Sequence, residues 1–136
     1  MSKSVLDASA FLAYLRDEQG SEIVENALIN GCYISIINWA ERLSKIVELG
    51  EHPDEIITQF KDEWLLGNSL KIVPCTEEDA ITIAQLRALT KSAGLSLGDR
   101  ACLALGKRLN LPVLTADKIW TSLSIGIAIT LIRWVN

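Results

Sequence analysis

Short apolar segments rich in β-branched residues alternate along the chain with longer segments in which apolar residues recur every three or four positions. The short runs are typical of buried strands, and the longer period is typical of amphipathic helices. Strands are predicted at residues 4–6, 32–37, 70–73, 112–115 and 127–132. The alternation of the two patterns predicts an α/β domain with a mainly parallel sheet of about five strands, covered by helices on both faces.

Glycine, proline and capping residues mark where the predicted helices begin and end. Helices are predicted at residues 8–16, 21–30, 38–49, 97–109 and 117–123, and another runs from a Thr76 cap to about Leu89. Pro53 opens a further helix, whose apolar face carries Ile56, Ile57, Phe60 and Trp64. Residues 91–95 are predicted to form a loop. No linker or repeat interrupts the pattern, so residues 1–136 are expected to form one domain.

The predicted topology also indicates where a ligand would bind. Right-handed crossovers between parallel strands place the carboxyl ends of all strands on one edge of the sheet. Ligands of such folds bind in the crevice at that edge, near a switch in strand order. Polar residues that follow the predicted strands are therefore candidates for a functional site.

The composition is that of a globular protein, with 49% apolar and 22% charged residues among 136. No apolar run approaches the roughly 20 residues that a membrane helix needs, so no membrane association is expected. The first residues have no pattern of an export signal. Cys32, Cys75 and Cys102 are widely spaced, which is typical of buried thiols in a reducing cytoplasm. We therefore expect a cytoplasmic protein.

The net charge of −4 argues against a broad basic face that grips nucleic acid. Any phosphate-binding role must then depend on a bound cation or on a local basic rim.

Three acidic residues follow predicted strands. Asp7 ends the first strand, Glu41 lies in the first turn of the helix after the second, and Asp117 follows the fourth. A parallel sheet is expected to bring these three to the same edge. Asp99 lies in the first turn of the helix that precedes the fourth strand, so only the tertiary fold can bring it there.

Each acid also has a purely structural explanation. Asn38 with Glu41, and Ser96 with Asp99, resemble capping boxes. Asp7 and Asp117 have the positions of simple N-caps. Glu41 also shares the polar stripe of its helix, so periodicity alone leaves it on the surface.

Clustered carboxylates raise one another's pKa values and remain ionised most easily around a cation. A ligand set made only of oxygen atoms favours Mg²⁺ or Mn²⁺ over zinc, and His52 is the only histidine. Such a site is suited to phosphoryl transfer, because the cation activates water and neutralises charge on the leaving oxygen.

Four short motifs in order along the chain resemble those of PIN-domain ribonucleases of the VapC toxin type. They are LDASA at residues 6–10, INWAE at 37–41, LSLGDRACLAL at 95–105 and LPVLTADKIW at 111–120. The last two are the most specific, and the resemblance covers almost the whole chain.

This resemblance implies a three-layer α/β/α domain that cleaves RNA with Mg²⁺ or Mn²⁺. It implies that the metal is held by Asp7, Glu41, Asp99 and Asp117, with Ser9, Asn38 and Thr115 in supporting positions. It also implies a homodimer and a cognate antitoxin. Possible RNA contacts, each of which has ordinary solvated charge as its alternative explanation, are Arg16, Arg42, Lys45, Arg100 and Lys118.

Two other functions were weighed against the ribonuclease. A catalytically silent PIN-like module that binds a partner stays open, although the presence of all four acids argues against it. A phosphoryl-receiver domain needs adjacent acids before its acceptor strand, whereas Val5 and Leu6 precede Asp7.

Overall fold

A computed structural model describes residues 3–63 and 68–133. The strands are β1 (Ser4–Leu6), β2 (Cys32–Ser35), β3 (Leu70–Val73), β4 (Val113–Thr115) and β5 (Ile129–Leu131). The helices are α1 (Ala8–Leu15), α2 (Ser21–Asn30), α3 (Ile36–Glu48), α4 (Pro53–Asp62), α5 (Glu77–Thr90) and α6 (Leu97–Leu109). Two short 3₁₀ helices occupy Lys91–Ala93 and Lys118–Ser122.

The five strands form one parallel sheet in the order β3-β2-β1-β4-β5. After β3 the chain crosses over β1 to form β4 on its other side, so the strand order reverses between β1 and β4. The prediction of a mainly parallel sheet is confirmed, and folds of this kind bind ligands at the carboxyl ends of the two strands that flank such a reversal.

Helices cover both faces of the sheet, as predicted. Leu6 and Leu114 face one apolar cluster, which contains Phe11, Trp39 and Phe60 with ring centroids about 6 Å apart. The strand neighbours Val5 and Val113 face the opposite cluster, which is built mainly from α5 and α6. This alternation is the period of two that strands impose, and it produces the three-layer α/β/α arrangement.

Two tryptophans lie in these cores. Trp39 belongs to the first cluster and Trp120 to the second, and both are buried. Trp64, which was predicted on the apolar face of the helix at Pro53, and Trp134 lie outside the described residues.

The boundary between β2 and α3 differs from the prediction. The strand ends at Ser35, whose side chain accepts a hydrogen bond from the Ile37 amide (3.2 Å) and caps a helix that begins at Ile36. The β-branched pair Ile36–Ile37 suggested a longer strand, but the capping hydroxyl stops the strand first. Glu41 therefore lies in the second turn of α3 rather than in the first, and Asn38 is not a cap.

Smaller differences concern short elements. The stretch after Asp117 is a 3₁₀ helix, the loop after Thr90 begins with a 3₁₀ turn, and the last strand is shorter than predicted.

Of the three cysteines, which are all free thiols, Cys75 is exposed, contrary to expectation. In the described ranges, no helix has the length and apolar character that would let it cross a membrane.

Candidate acidic site at the switch point of the sheet

Asp7 lies where β1 passes into α1, and only 3% of it is exposed. Its Oδ1 accepts a hydrogen bond from the Ala10 amide (2.7 Å), so it is the N-cap that the sequence suggested. The Ser9 hydroxyl donates to Oδ1 (2.8 Å), and the Thr115 hydroxyl donates to Oδ2 (2.5 Å). The carboxylate is therefore both a cap and the centre of a hydrogen-bond network that joins β1 to β4.

The pKa of Asp7 is raised from 3.8 to about 6, mainly by burial and to a small extent by the nearby Asp99 charge. The hydrogen bonds from Thr115, Ala10 and Ser9 oppose this rise, because they stabilise the ionised form. The prediction that mutual repulsion would shift the pKa values holds for Asp7 only as a minor contribution. Removal from water is the main cause.

Thr115 and Ser9 connect Asp7 to Asp117. The Thr115 Oγ1 atom accepts from the Asp117 amide (3.0 Å), and the Ser9 Oγ atom accepts from the Ala116 amide (2.9 Å). These bonds fix the chain that leaves β4 against the chain that leaves β1. Asp117 is exposed and caps the following 3₁₀ helix, since its Oδ1 accepts from the Ile119 amide (3.1 Å).

Glu41 is brought to the site by Asn38 and Gly98. The buried Asn38 Nδ2 group donates to Glu41 Oε1 (3.1 Å) on its own helix and to the Gly98 carbonyl (3.0 Å) on α6. The Glu41 carboxylate lies directly over Gly98, where a Cβ atom would overlap it. Glu41 is exposed, as its periodicity predicted, but it points toward the start of α6.

Asp99 is partly exposed and lies one residue beyond Gly98. Its Oδ2 accepts from the Ser96 amide (3.0 Å) and the Ser96 hydroxyl accepts from the Asp99 amide (3.2 Å), so the predicted capping box is confirmed. The charges of Asp7, Asp99 and Glu41 all add to the effect of burial in raising the pKa of the Cys102 thiol. These three acids therefore lie around one buried atom, which supports their proximity.

The residues present match a hard divalent cation in chemistry, because the donors are carboxylate oxygens. Asp99, Asp117 and Glu41 each use one oxygen in the local hydrogen bonds given above, which leaves the other oxygen available. In the part of the chain that the structure describes, no three acidic, histidine or cysteine side chains converge as a metal-binding group. Holding a cation would require these side chains to move closer together than they lie here.

The five candidate basic residues do not share one location. Arg42 and Lys45 line a cleft between α1 and α3 together with Ser9 and Glu41, and Arg16 lies close enough to Arg42 to affect its pKa. Lys118 is exposed next to Asp117. Arg100 instead donates to the Ile83 carbonyl (2.9 Å), so it ties α6 to α5.

Sequence reasoning missed the role of Gly98 and the partly apolar cleft beside Ser9. The signal for Gly98 was a glycine in the first turn of a helix, next to an acid, where alanine would form a better helix. The cleft had no comparable signal, because its residues come from two helices that only the fold places together.

Comparison with known proteins places this architecture in a family. The sequence profile described as PIN domain matches residues 4–125. No curated protein sequence matches the chain significantly.

Solved structures share the fold across nearly the whole chain. A toxin–antitoxin complex from Klebsiella pneumoniae has a TM-score of 0.72 at 16% identity, over 98% of this chain and 100% of that chain. DNA-bound VapBC from Salmonella typhimurium has a TM-score of 0.72 at 18% identity, over 98% and 100%. FitAcB from Neisseria gonorrhoeae has a TM-score of 0.71 at 19% identity, over 95% and 97%. At these identities the likeness establishes the fold.

Proposed function

The chain belongs to the PIN-domain family, and from that premise we propose that it is a divalent-cation-dependent endoribonuclease, the toxin of a toxin–antitoxin pair. The observation that carries the proposal is the Asp7 network at the switch point. A buried carboxylate is held there by the Ser9 hydroxyl of α1 and the Thr115 hydroxyl at the end of β4, with Asp99 close enough to affect its pKa. Folding alone does not require a buried acid at this edge.

The residues of the chain hold the proposed site in three ways. Ser9 and Thr115 orient both oxygens of Asp7 and keep it ionised against the effect of burial. Asn38 fixes Glu41 above Gly98 at the start of α6. The fixed end of β4 positions Asp117 on the exposed side, where the RNA phosphodiester would approach.

We assign the proposed Mg²⁺ or Mn²⁺ to Asp7, Glu41, Asp99 and Asp117. When bound there, such a cation would lower the pKa of a water molecule, orient the phosphate and stabilise charge on the leaving oxygen. It would also supply the positive potential that a chain with a net charge of −4 otherwise lacks at this edge.

Arg42, Lys45 and Lys118 are proposed RNA contacts beside the site, and Arg16 a more distant one. For Arg100 the bond to Ile83 supports a structural role instead.

The test is cleavage of a structured RNA by the wild type and by Asp7→Asn, with Mn²⁺, with Mg²⁺ or with EDTA. We expect cleavage only with the cations and a loss of at least about 100-fold in the variant, because Asp7 would hold the cation that stabilises charge in the transition state, and losing such stabilisation costs about that much. Asp54→Asn is the matched control, since Asp54 is an exposed acid in the first turn of α4. Equal cleavage in EDTA, or by Asp7→Asn, would disprove the proposal.

One observation favours a second function, a catalytically silent module that binds a partner. In the described ranges the acids are engaged in caps, and no three of them form a metal-binding group. Isothermal titration with Mn²⁺ separates the two functions. Binding that is lost in Asp7→Asn supports the nuclease, and the absence of binding by the wild type supports the silent module.

An antitoxin and a second copy of the chain are the proposed protein partners, and the cytoplasm is the proposed location. The matching structures include a toxin–antitoxin complex and VapBC assemblies, which supports an antitoxin partner.

Exposed apolar side chains on α5, Ile81 and Leu89, are available for contacts between copies. Light scattering after size-exclusion chromatography tests the dimer, and a monomeric mass at micromolar concentration would rule it out.

A further inference from the structure

A cleft of about 230 Å³ lies between α1 and α3, directly beside the acidic site. Its lining residues are Ala8, Ser9, Leu12, Glu41, Arg42 and Lys45. Ser9 holds the Asp7 carboxylate, and Glu41 lies over the start of α6. The cleft therefore shares two side chains with the proposed catalytic site and is continuous with it.

The two walls of the cleft differ in character. Ala8 and Leu12 give the α1 wall an apolar surface, whereas the α3 wall carries the charged side chains of Glu41, Arg42 and Lys45. Small-molecule sites are concave and mostly apolar, with a few polar groups that fix orientation. The volume is below the roughly 300 Å³ at which sites for drug-sized ligands begin, so the cleft has room for one ring system rather than for a long peptide segment.

Arg42, which lines this cleft, and the nearby Arg16 are not paired with acids in the described part of the chain. Arg16 lies close enough to Arg42 for their positive charges to repel each other, and Glu51 is the nearby opposite charge. Lys45 pairs with Glu48 (3.3 Å), but neither arginine forms an ion pair within residues 3–63 and 68–133. The Arg42 Nε atom is buried and has no hydrogen-bond partner among these residues. An anion that bound between these two cations, or next to them, would reduce their mutual repulsion.

We propose that this cleft binds one nucleobase of single-stranded RNA next to the cleaved phosphodiester, with Arg42 as the residue that contacts the base. The inference rests on the proposed nuclease function and adds a specificity site to it. Proteins read single-stranded RNA by placing unstacked bases against apolar side chains and arginine guanidinium groups, which are the two walls present here. The adjacent phosphates would then lie near Arg16 and Lys45, and the scissile one near the acids.

The experiment compares Arg42→Gln, Arg42→Lys and Leu12→Phe with the wild type on a single-stranded RNA of randomised sequence, with Mn²⁺. Sequencing of the cut ends gives the base preference, and a fluorescent hexanucleotide gives KM and kcat. Arg42→Gln is expected to raise KM about tenfold, a change at the low end of measured stacking contributions, and to flatten the base preference at one position beside the cut. Arg42→Lys keeps the charge, so it should lose the preference with a smaller change in KM.

Leu12→Phe fills the cleft without changing the charge, and it should also alter the preference. The control is Arg87→Gln, which removes the same charge from an exposed position on α5. Thermal unfolding of each variant shows whether it folds. If Arg42→Gln and Leu12→Phe are folded and keep the wild-type preference and KM, the inference is wrong.

A second measurement separates this inference from the proposed function. Fluorescence anisotropy in EDTA records the binding of single-stranded hexanucleotides without cleavage. If the wild type binds them and Arg42→Gln binds about tenfold more weakly while Arg87→Gln does not, the base site stands even if no cleavage is found. If the wild type cleaves RNA and both cleft variants behave like it, only the inference fails.

Discussion

Asp7 is the residue whose burial has the clearest consequences for the properties of the site. Its buried carboxyl group accepts hydrogen bonds from the Ala10 amide and from the Ser9 and Thr115 hydroxyls. Its pKa is nevertheless raised to about 6, mainly because of burial. The folded chain keeps a group that would be more stable in water. A buried acid that weakens the fold is a common feature of functional sites.

The pKa of Asp7 predicts how stability depends on pH. A carboxyl with a higher pKa in the folded state binds its proton more tightly when folded, so its stabilising effect is complete below pH 3.8 and is lost as the pH rises to about 6. The rise in pKa from 3.8 to about 6 corresponds to about 3 kcal/mol. In EDTA, Asp7→Asn should therefore increase the free energy of unfolding by up to about 3 kcal/mol at pH 7.5, and by much less at pH 4.

Urea unfolding at several pH values between 4 and 7.5 measures this difference. The exposed Asp54→Asn variant is the control and should show no such trend. An Asp7→Asn variant that is equally destabilised at pH 4 and pH 7.5 would show that the lost hydrogen bonds outweigh the relief of burial.

Gly98 is a second residue at which one substitution should affect catalysis and stability in different directions. Its backbone is helical, so alanine should favour the helix by up to about 1 kcal/mol. The new Cβ atom would overlap the Glu41 carboxylate and move it from the start of α6. We expect Gly98→Ala to keep or raise the melting temperature and to lower kcat at least tenfold. A variant with wild-type kcat would mean that the position of Glu41 does not affect catalysis.

At the scale of elements, α5 and α6 begin with the same capping box but use it differently. In α5, Thr76 and Asp79 form the box, and Asp79 also pairs with Arg108 (2.9 Å), which joins the two helices. In α6, Ser96 and Asp99 form the box, and Asp99 faces the acidic site. One local motif therefore supports packing in one helix and the candidate site in the next.

The two boxes provide a matched pair of variants. Thr76→Ala and Ser96→Ala each remove one cap hydroxyl, and each should lower the free energy of unfolding by about 1 kcal/mol. Ser96→Ala removes the hydroxyl that accepts from the Asp99 amide and so loosens the turn that carries this proposed metal ligand, whereas Thr76→Ala acts on a helix start away from the site. Only Ser96→Ala should therefore change the KM for Mn²⁺ or the cleavage rate. Cleavage assays with a Mn²⁺ titration for both variants measure the contrast. Equal effects on activity would assign both boxes to stability alone.

At the scale of the whole molecule, the reversal of strand order determines where the acids meet. β1 and β4 are neighbours although more than 100 residues separate them, and the Thr115 to Asp7 hydrogen bond spans this separation. Binding of a cation to the folded site should therefore stabilise the entire domain, since the unfolded chain has no such site.

The expected thermal effect follows from this linkage. A cation at about 100 times its dissociation constant adds about 2.7 kcal/mol to the free energy of unfolding, so Mn²⁺ should raise the melting temperature by several degrees. Asp7→Asn should lose most of the shift, whereas Asp54→Asn should keep it. Differential scanning fluorimetry over a Mn²⁺ series measures this, and an unshifted wild type would count against a cation at this site.

The sequence predicted the class of the fold because hydrophobic period and caps are local properties. The five strands, the order of the helices and the caps at Asp7, Ser96 and Asp117 follow from such patterns. The start of α3 was placed two residues late, because the β-branched Ile36 and Ile37 favour a strand and the capping by Ser35 outweighs that preference.

Only the tertiary structure decided which of these residues meet. Local periodicity leaves Glu41 on a solvated face, and the contacts of Asn38 and Gly98 place its carboxylate over the start of α6. The depth of Asp7, and therefore its pKa, depends on packing between β1, β4 and α6 that no short segment encodes. A sequence pattern specifies which face of an element is buried, whereas distances between side chains depend on strand order and helix packing, which the whole chain determines together.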